Sequence, residues 1–526
     1  MWWYLSLLEN TKIEPADGGI LKEVIMGQPQ SLNPLFSLLN DADRDVSELI
    51  FSGLLKYTKD GKLIEDLAKE YKLSSDGKVY EFTLKDGLLW SDGEKITADD
   101  VVFTIESIKN PEVQSPFRLA WQDVKVKKKD EQNVKFILKN PYFPFLENFT
   151  FKILPSHVFK DVAPQELFSK PREEIASSGS LKIKSIEKGE EGRIKKIVLD
   201  KNPNFHGKSL FLDEIELIFA TDELELAELK TQATNLPNIS SKDKSNFEEN
   251  FKIYSLSLPR YFALFLNQEN KILSQKEIRE SLALATPKEA IINQVLVGEG
   301  RIAEGPFLEE NKIGGEFKKY KFNSEEAKKK LGEAGWKDGN KDGTREKVIK
   351  KGEKPTSLEL NLFTVDQEEL KETAQIIQKK WGGAGIKLNI NAIEGEKLRQ
   401  DYITERKYDI LLFAQGLYMM ADPSSFWHSS QKSYPGSNLS LYQNSKIDEI
   451  LKKSIAELDS EKRKTLLQSF QQKLTEDIPA IFLYSPNYLY AVDKKVKGID
   501  GKYIIDPSKR FIGIESWYIK EKRVPK

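Results

Sequence analysis

From Gly19 onward the apolar positions switch repeatedly between a period of two and a period of 3.6, the pattern of a mixed α/β chain. Val79-Tyr80-Glu81-Phe82-Thr83-Leu84 alternates and puts Tyr80, Phe82 and Leu84 on one face; Val134, Phe136 and Leu138 do the same. Both segments predict half-buried strands. Between them, Thr97 stands three residues before Asp100, the spacing of a capping box, and Val101, Ile105 and Ile108 recur at helical intervals until Asn110-Pro111 stops them. The second half repeats this grammar. Ser324 is placed to cap a helix carrying Ala327, Leu331 and Ala334 and closed by Gly335. Leu370, Ala374, Ile377 and Trp381 form one stripe ended by Gly382-Gly383, and the strand Ile386 to Ile390 follows. Asp459 opens a helix with Leu466, Leu467, Phe470 and Leu474 inward, and after Pro479 the run Ala480-Ile481-Phe482-Leu483-Tyr484 predicts a buried strand. Helix, turn and strand in this order favour sheets covered by helices.

Length then divides the pattern: 526 residues exceed what one core organises, so two or three lobes are expected. The 81 basic and 82 acidic residues nearly cancel, which gives no electrostatic footprint for nucleic acid. The local run Lys125-Val126-Lys127-Lys128-Lys129 is expected as a solvated turn between strands. Cysteine is absent, which removes disulfides, thiolate metal sites and cysteine nucleophiles. The N-terminal Met1-Trp2-Trp3-Tyr4-Leu5-Ser6-Leu7-Leu8 is apolar and aromatic but far short of the about 20 residues that span a bilayer. It is expected as the stump of a signal or anchor helix, or as a short peptide packed on the body, with Pro15-Ala16-Asp17-Gly18-Gly19 as the linker.

The chain is poor in reacting groups. His157, His206 and His428 are far apart and in no metal-ligand spacing, and there is neither a nucleophile elbow nor a P-loop. Gly298-Glu299-Gly300-Arg301-Ile302-Ala303 has dinucleotide-loop spacing, but it follows a helix-like segment and runs into Gly305-Pro306. Asp338 to Gly343 imitates a calcium loop, yet Ile349 stands where a bidentate Glu is required, so a turn-rich hairpin is expected. The expectation is a protein with no catalytic residue, no metal and no cofactor; a hydrolase and a sensory protein that keeps a binding fold are the alternatives.

The run Leu67-Ala68-Lys69-Glu70-Tyr71, Ser75 to Gly87 and Trp90-Ser91-Asp92-Gly93 through Thr97 to Val102 resembles the signature of the family 5 solute-binding proteins, the peptide-, dipeptide- and nickel-binding group. Ser31-Leu32-Asn33-Pro34-Leu35, Asn202-Pro203-Asn204-Phe205, Leu266-Asn267, Ile278-Arg279, Glu326 to Trp336, Asp422-Pro423, Ile447-Asp448 and Ile478-Pro479 extend the resemblance almost end to end. It implies a two-lobed α/β fold of the periplasmic-binding-protein type (type II), with an extra α/β domain inserted in the first lobe. In residue numbers this is 1–18 as anchor and linker, 19–57 with 178–260 and 493–526 as lobe I, 58–177 as the insertion, and 261–492 as lobe II. It also implies a monomer outside the cytoplasmic membrane that closes on a peptide or similar small solute and delivers it to an ABC permease.

By position, the resemblance implies ligand contacts at Asn33, Phe117, Trp121, Tyr261, Phe262, Tyr418, Met419, Met420, Asp422, Tyr484 and Tyr488. Two departures stand out. Peptide-binding members hold the peptide ammonium with an Asp shortly before the Asp-Pro, but here Gly416-Leu417-Tyr418-Met419-Met420-Ala421 contains no acid. A buried ammonium without a carboxylate partner is strongly disfavoured, so ordinary peptide capture is not expected. The family's G-[ST]-G-P-Y element is reduced to Ser178-Gly179-Ser180-Leu181.

Overall fold

In the computed structural model, residues 11–169, 175–349, 351–352, 354–417 and 422–526 are described. They fall into two compact units, the residues up to 256 with 488–526, and residues 257–487. The chain therefore crosses twice, a few residues earlier each time than the boundaries at 260 and 492 expected from the sequence.

The first described element of this unit is strand β1 (Thr11–Ala16), so part of the expected linker is regular structure. Strand β2 (Ile20–Met26) follows, then helix α1 (Asp41–Ile50), capped by the Asn40 side chain on the N–H of Asp43. The stretch expected as an insertion has its own antiparallel sheet. Its strands are β3 (Ala68–Leu73), β4 (Val79–Leu84), β5 (Lys125–Lys128) and β6 (Asn133–Ile137), in the order β3-β4-β6-β5. Helix α2 (Ala98–Lys109), between β4 and β5, starts with the expected capping box. The lysine run 125–129 is a correction: four of its residues form the edge strand β5. Lysines on an exposed edge discourage pairing with other chains, and Lys128 and Lys129 bind Asp99 at 2.6 Å and Glu81 at 3.0 Å. Strands β7 (Leu181–Lys188), β8 (Ile194–Lys201), β9 (Glu214–Ala220) and β10 (Asn235–Leu236) complete the unit's main sheet in the order β10-β2-β9-β8-β7. There β2 runs parallel to both β9 and β10.

The second unit is a sheet between two helical layers. Strand β11 (Arg260–Leu266) comes first, then α3 (Ser324–Glu333), β12 (Glu359–Val365), α4 (Glu368–Gly382), β13 (Lys387–Ile393) and β14 (Ile410–Gly416). Helix α5 (Ser460–Asp477) leads into the 14-residue strand β15 (Ala480–Asp493). The order is β13-β12-β14-β11-β15, with β12 parallel to its two neighbours and β11 antiparallel to both of its own. Alternation along β11 sends Leu264 and Leu266 to the core that holds the α4 stripe Leu370, Ala374, Ile377 and Trp381. Tyr261, Ala263 and Phe265 go to the opposite core with Leu467, Phe470 and Leu474 of α5. Burial on both faces explains why the strand is almost continuously apolar. Two details differ from expectation. Asn323, not Ser324, caps α3, because its carboxamide oxygen one residue earlier accepts the N–H of Glu326 at 3.0 Å. Leu466 is only half-buried, and Arg463 takes an inward place by donating to the Ser454 carbonyl at 3.2 Å.

The end of β15 belongs to the first unit, where Ala491 and Val492 pair with β10, and β16 (Lys520–Pro525) returns to pair with β1. Between these strands lies Arg510. It is buried with Glu23 and Asp45, donating to Glu23 at 2.6 Å and to the two oxygens of Asp45 at 2.8 and 2.5 Å. Tyr490 donates to the other Glu23 oxygen at 2.7 Å and accepts from Asn235. Nearby, Glu48 pairs with Lys509 at 2.5 Å and Lys152 at 3.0 Å. Burial pushes the Asp45 carboxyl up to about 6, against the opposing pull of Arg510 and with further repulsion from Glu23 and Asp41.

A carboxyl raised in the fold favours the folded state most when protonated, below its ordinary value near 4. That contribution is lost as pH rises through about 6. Asp45→Asn removes the titration. The stability of the unmodified protein relative to the variant is expected to fall by about 3 kcal/mol between pH 4 and pH 7, read by urea unfolding at each pH. A pH-independent difference would contradict the assignment.

Candidate functional site

Within the second unit, antiparallel register brings several candidate residues to one end of the sheet. Tyr261 stands opposite Gln415 and Phe262 opposite Tyr484. The Tyr261 hydroxyl donates to Gln415 Oε1 at 3.0 Å, and its ring meets Phe482 edge-on at 5.1 Å. Phe262 points to the other face and stacks on Tyr484, with centroids 5.2 Å apart and planes 28° from parallel. Tyr484 is buried, and its hydroxyl lies 3.2 Å from that of Thr373; burial pushes its ionisation well above the ordinary tyrosine value. Arg260, a residue the sequence reading passed over, is exposed at the start of β11 with its guanidinium 5.8 Å from the Phe262 ring centre. Opposite it, β14 ends at Gly416, and the N–H of Leu417 donates to the Pro259 carbonyl at 2.9 Å. The candidates Tyr418, Met419 and Met420 lie outside the described residues. Asp422 is described: its carboxylate accepts the N–H of Ser424 at 2.9 Å, at the head of a short helix.

The remaining candidates lie in the first unit. Asn33 is buried in a turn, accepting the N–H of Leu35 and donating to the Leu167 carbonyl, both at 3.0 Å. The turn is held from below by Asp43, which accepts the N–H groups of Gln30, Ser31 and Leu32. Phe117 is half-buried before the short helix Arg118–Trp121. Trp121 is only 1% exposed and is ringed by Phe136, Phe145, Phe149 and Phe151 at 5.0 to 6.0 Å. Tyr488 is buried on β15, two residues before Tyr490. Thus Phe262 and Tyr484 touch, Tyr261 shares the strand of Phe262 but faces the other core, and Trp121 is enclosed in the aromatic core of its own small sheet.

Several motif residues behind the family resemblance hold backbone in place. Asn202 donates to the Gly179 carbonyl at 2.9 Å, and Gly179 approaches α1 so closely that a Cβ would lie 2.7 Å from the Ile50 carbonyl carbon. Arg279 donates to the carbonyls of Leu273, Ser274, Asp477 and Ile478. The histidines have ordinary partners: His157 with Asp92 at 2.8 Å, His206 with Asp66 at 3.0 Å and His428 with Ser430 at 2.9 Å. Among the described residues no group of three His, Asp or Glu side chains is placed to hold a metal ion.

With this arrangement in view, the match to known proteins is decisive. The family described as bacterial extracellular solute-binding proteins, family 5 (middle) matches residues 62–438. The chain belongs to that family. The oligopeptide-binding protein AppA of Bacillus subtilis is 28% identical over 519 residues, covering 96% of this chain and 92% of AppA. The structure of B. subtilis AppA in complex with a nonapeptide aligns with a TM-score of 0.75 at 26% identity, over 96% of this chain and 100% of that one. NikZ from Campylobacter jejuni, in complex with Ni(L-His), aligns with a TM-score of 0.77 at 27% identity, over 95% and 99%. These relatives are binding proteins. The family 5 protein described here accordingly has the expected two-lobed α/β fold and is an extracytoplasmic solute-binding protein of an ABC importer. No helix among the described residues is long and apolar enough to cross a membrane.

Enclosure of Trp121 by four phenylalanine rings implies a core role for this candidate. Trp121→Ala is expected to lower unfolding stability by about 3–5 kcal/mol in urea titration. A loss below about 1 kcal/mol would place the indole outside the core.

Proposed function

We propose that this family 5 protein captures peptide-like solutes whose amino end is blocked, distant or uncharged, and delivers them to its permease. The observation that carries this reading is the lack of an acid between Gly416 and Asp422, where Tyr418, Met419 and Met420 stand instead. These residues bring polarizable apolar groups and one hydroxyl, which suit varied apolar side chains and leave an ammonium without a charged acceptor. Asp422 is a poor substitute, because its carboxylate is engaged by Ser424 in a turn. Of the aromatic candidate contacts described in the second unit, Phe262 keeps accessible surface, and we assign it direct contact with solute. The apolar run Trp2 to Leu8 is part of the same proposal, as a membrane attachment that keeps the protein beside its permease.

A charge-assisted hydrogen bond contributes about 1.5–3 kcal/mol, roughly a ten- to hundredfold difference in affinity. Isothermal titration with a peptide mixture is expected to show tighter binding of N-acetylated peptides than of free-amine di- and tripeptides. Met419→Asp is expected to raise affinity for the free amines about tenfold or more. Tight, amine-dependent binding by the unmodified protein would overturn the proposal.

A further inference from the structure

The two-stranded ribbon of β1 and β16 differs in charge from the chain as a whole. Residues 11–16 and 520–526 hold five basic side chains against two acidic ones, whereas the whole chain is balanced at 81 to 82. Both acids are already engaged: Glu14 with Lys12 at 2.8 Å, and Glu521 with Lys497, outside the ribbon, at 2.6 Å. Lys522 stands opposite Glu14 in the register and only adds to the pull on a carboxylate that Lys12 holds. Arg523 donates to the neutral Thr11 hydroxyl at 3.2 Å. Lys522, Arg523 and Lys526 are all exposed, so their charge faces solvent. A ribbon of two strands has two open edges, and charges of either sign would guard them against stray pairing; here the excess is of one sign.

The outer end of the ribbon, where Thr11 pairs with Pro525, is also the end nearest in sequence to the apolar run Trp2 to Leu8. Thr11 follows Leu8 by three residues. That is a reach of at most about 11 Å in any conformation, comparable with the Debye length of about 10 Å in 0.1 M salt. At this end Ile13 is 54% exposed and directly opposite Arg523. An exposed apolar side chain beside a guanidinium suits the boundary between acyl chains and headgroups. The run itself is too short to span a bilayer, and a weak apolar attachment becomes durable when a basic patch supplies a second signal.

We propose that the outer end of the β1–β16 ribbon docks on anionic lipid headgroups, with Lys522, Arg523 and Lys526 over the phosphates and Ile13 at the interface. The ribbon then holds the body of the protein against the membrane, where an apolar segment alone would only tether it. The proposal rests on the reading of Trp2 to Leu8 as a membrane attachment, and the two can fail separately.

The test is co-sedimentation of the full chain with vesicles of phosphatidylcholine, alone or mixed with phosphatidylglycerol. A basic side chain near an anionic surface is worth about fivefold in partition, so three are expected to give at least about tenfold tighter binding to the mixed vesicles. That advantage should shrink as salt is raised. The triple variant Lys522→Gln, Arg523→Gln, Lys526→Gln should bind both kinds of vesicle alike. The control Lys125→Gln, Lys127→Gln, Lys139→Gln, which removes as many exposed charges elsewhere in the same unit, should keep the advantage. Equal partition onto both vesicles by the unmodified protein, an advantage that survives the ribbon substitutions, or its equal loss in the control overturns the proposal while leaving attachment through Trp2 to Leu8 in place. Failure to bind either vesicle overturns both.

Discussion

The first unit is organised around one buried guanidinium. Arg510 reaches Glu23 on β2 and Asp45 on α1, and Tyr490 on β15 closes the ring through the second oxygen of Glu23. Residues hundreds of positions apart thereby meet at one point, at the place where β15 has just re-entered the unit. Two carboxylates on one cation leave the cluster one negative charge in excess when both are ionised. Its desolvation is bearable only because nearly every oxygen is hydrogen-bonded. Removing the arginine would strand two buried carboxylates, a loss on the order of 3–5 kcal/mol. The same ring fixes the stretch of β15 that carries Tyr488, so a candidate contact inherits its position from a charge network that touches no solute.

The second unit reaches rigidity by another route. Its strand β11 is apolar on both faces from Tyr261 to Leu266, and a charged residue, Arg260, opens it. That contrast makes strand ends the natural place for recognition, since the strand interiors are committed to packing. Phe262 is half-exposed there, and the buried Tyr484 stacked on it holds its ring in place. A binding protein needs little more: a fixed apolar wall and a few polar groups that set orientation.

Much of the fold was legible because its signals are local. Tyr80, Phe82 and Leu84 alternate, Thr97 and Asp100 form their capping box, and Leu370 to Trp381 hold one stripe; each can be read from spacing alone. The lysine strand 125–128 was misread because an edge strand protected by charge has the composition of a turn. Asn323 was passed over because Ser324, one residue on, is an equally good cap in sequence. The site was less legible. Trp121, Phe117 and Phe262 are alike as aromatic residues, and only burial separates a core indole from an accessible ring. Arg260 gave a faint signal, an arginine opening the apolar run Tyr261 to Leu266. Arg510 gave none, since its partners lie hundreds of residues away.

The central claim is that this protein holds peptide-like solutes intact. Native mass spectrometry of the full chain, incubated with a mixed library of N-acetylated peptides and then denatured, tests it most directly. The expected result is a one-to-one adduct whose peptides are released with unchanged masses. Absence of any adduct, or recovery of peptide fragments in place of intact peptides, would contradict it.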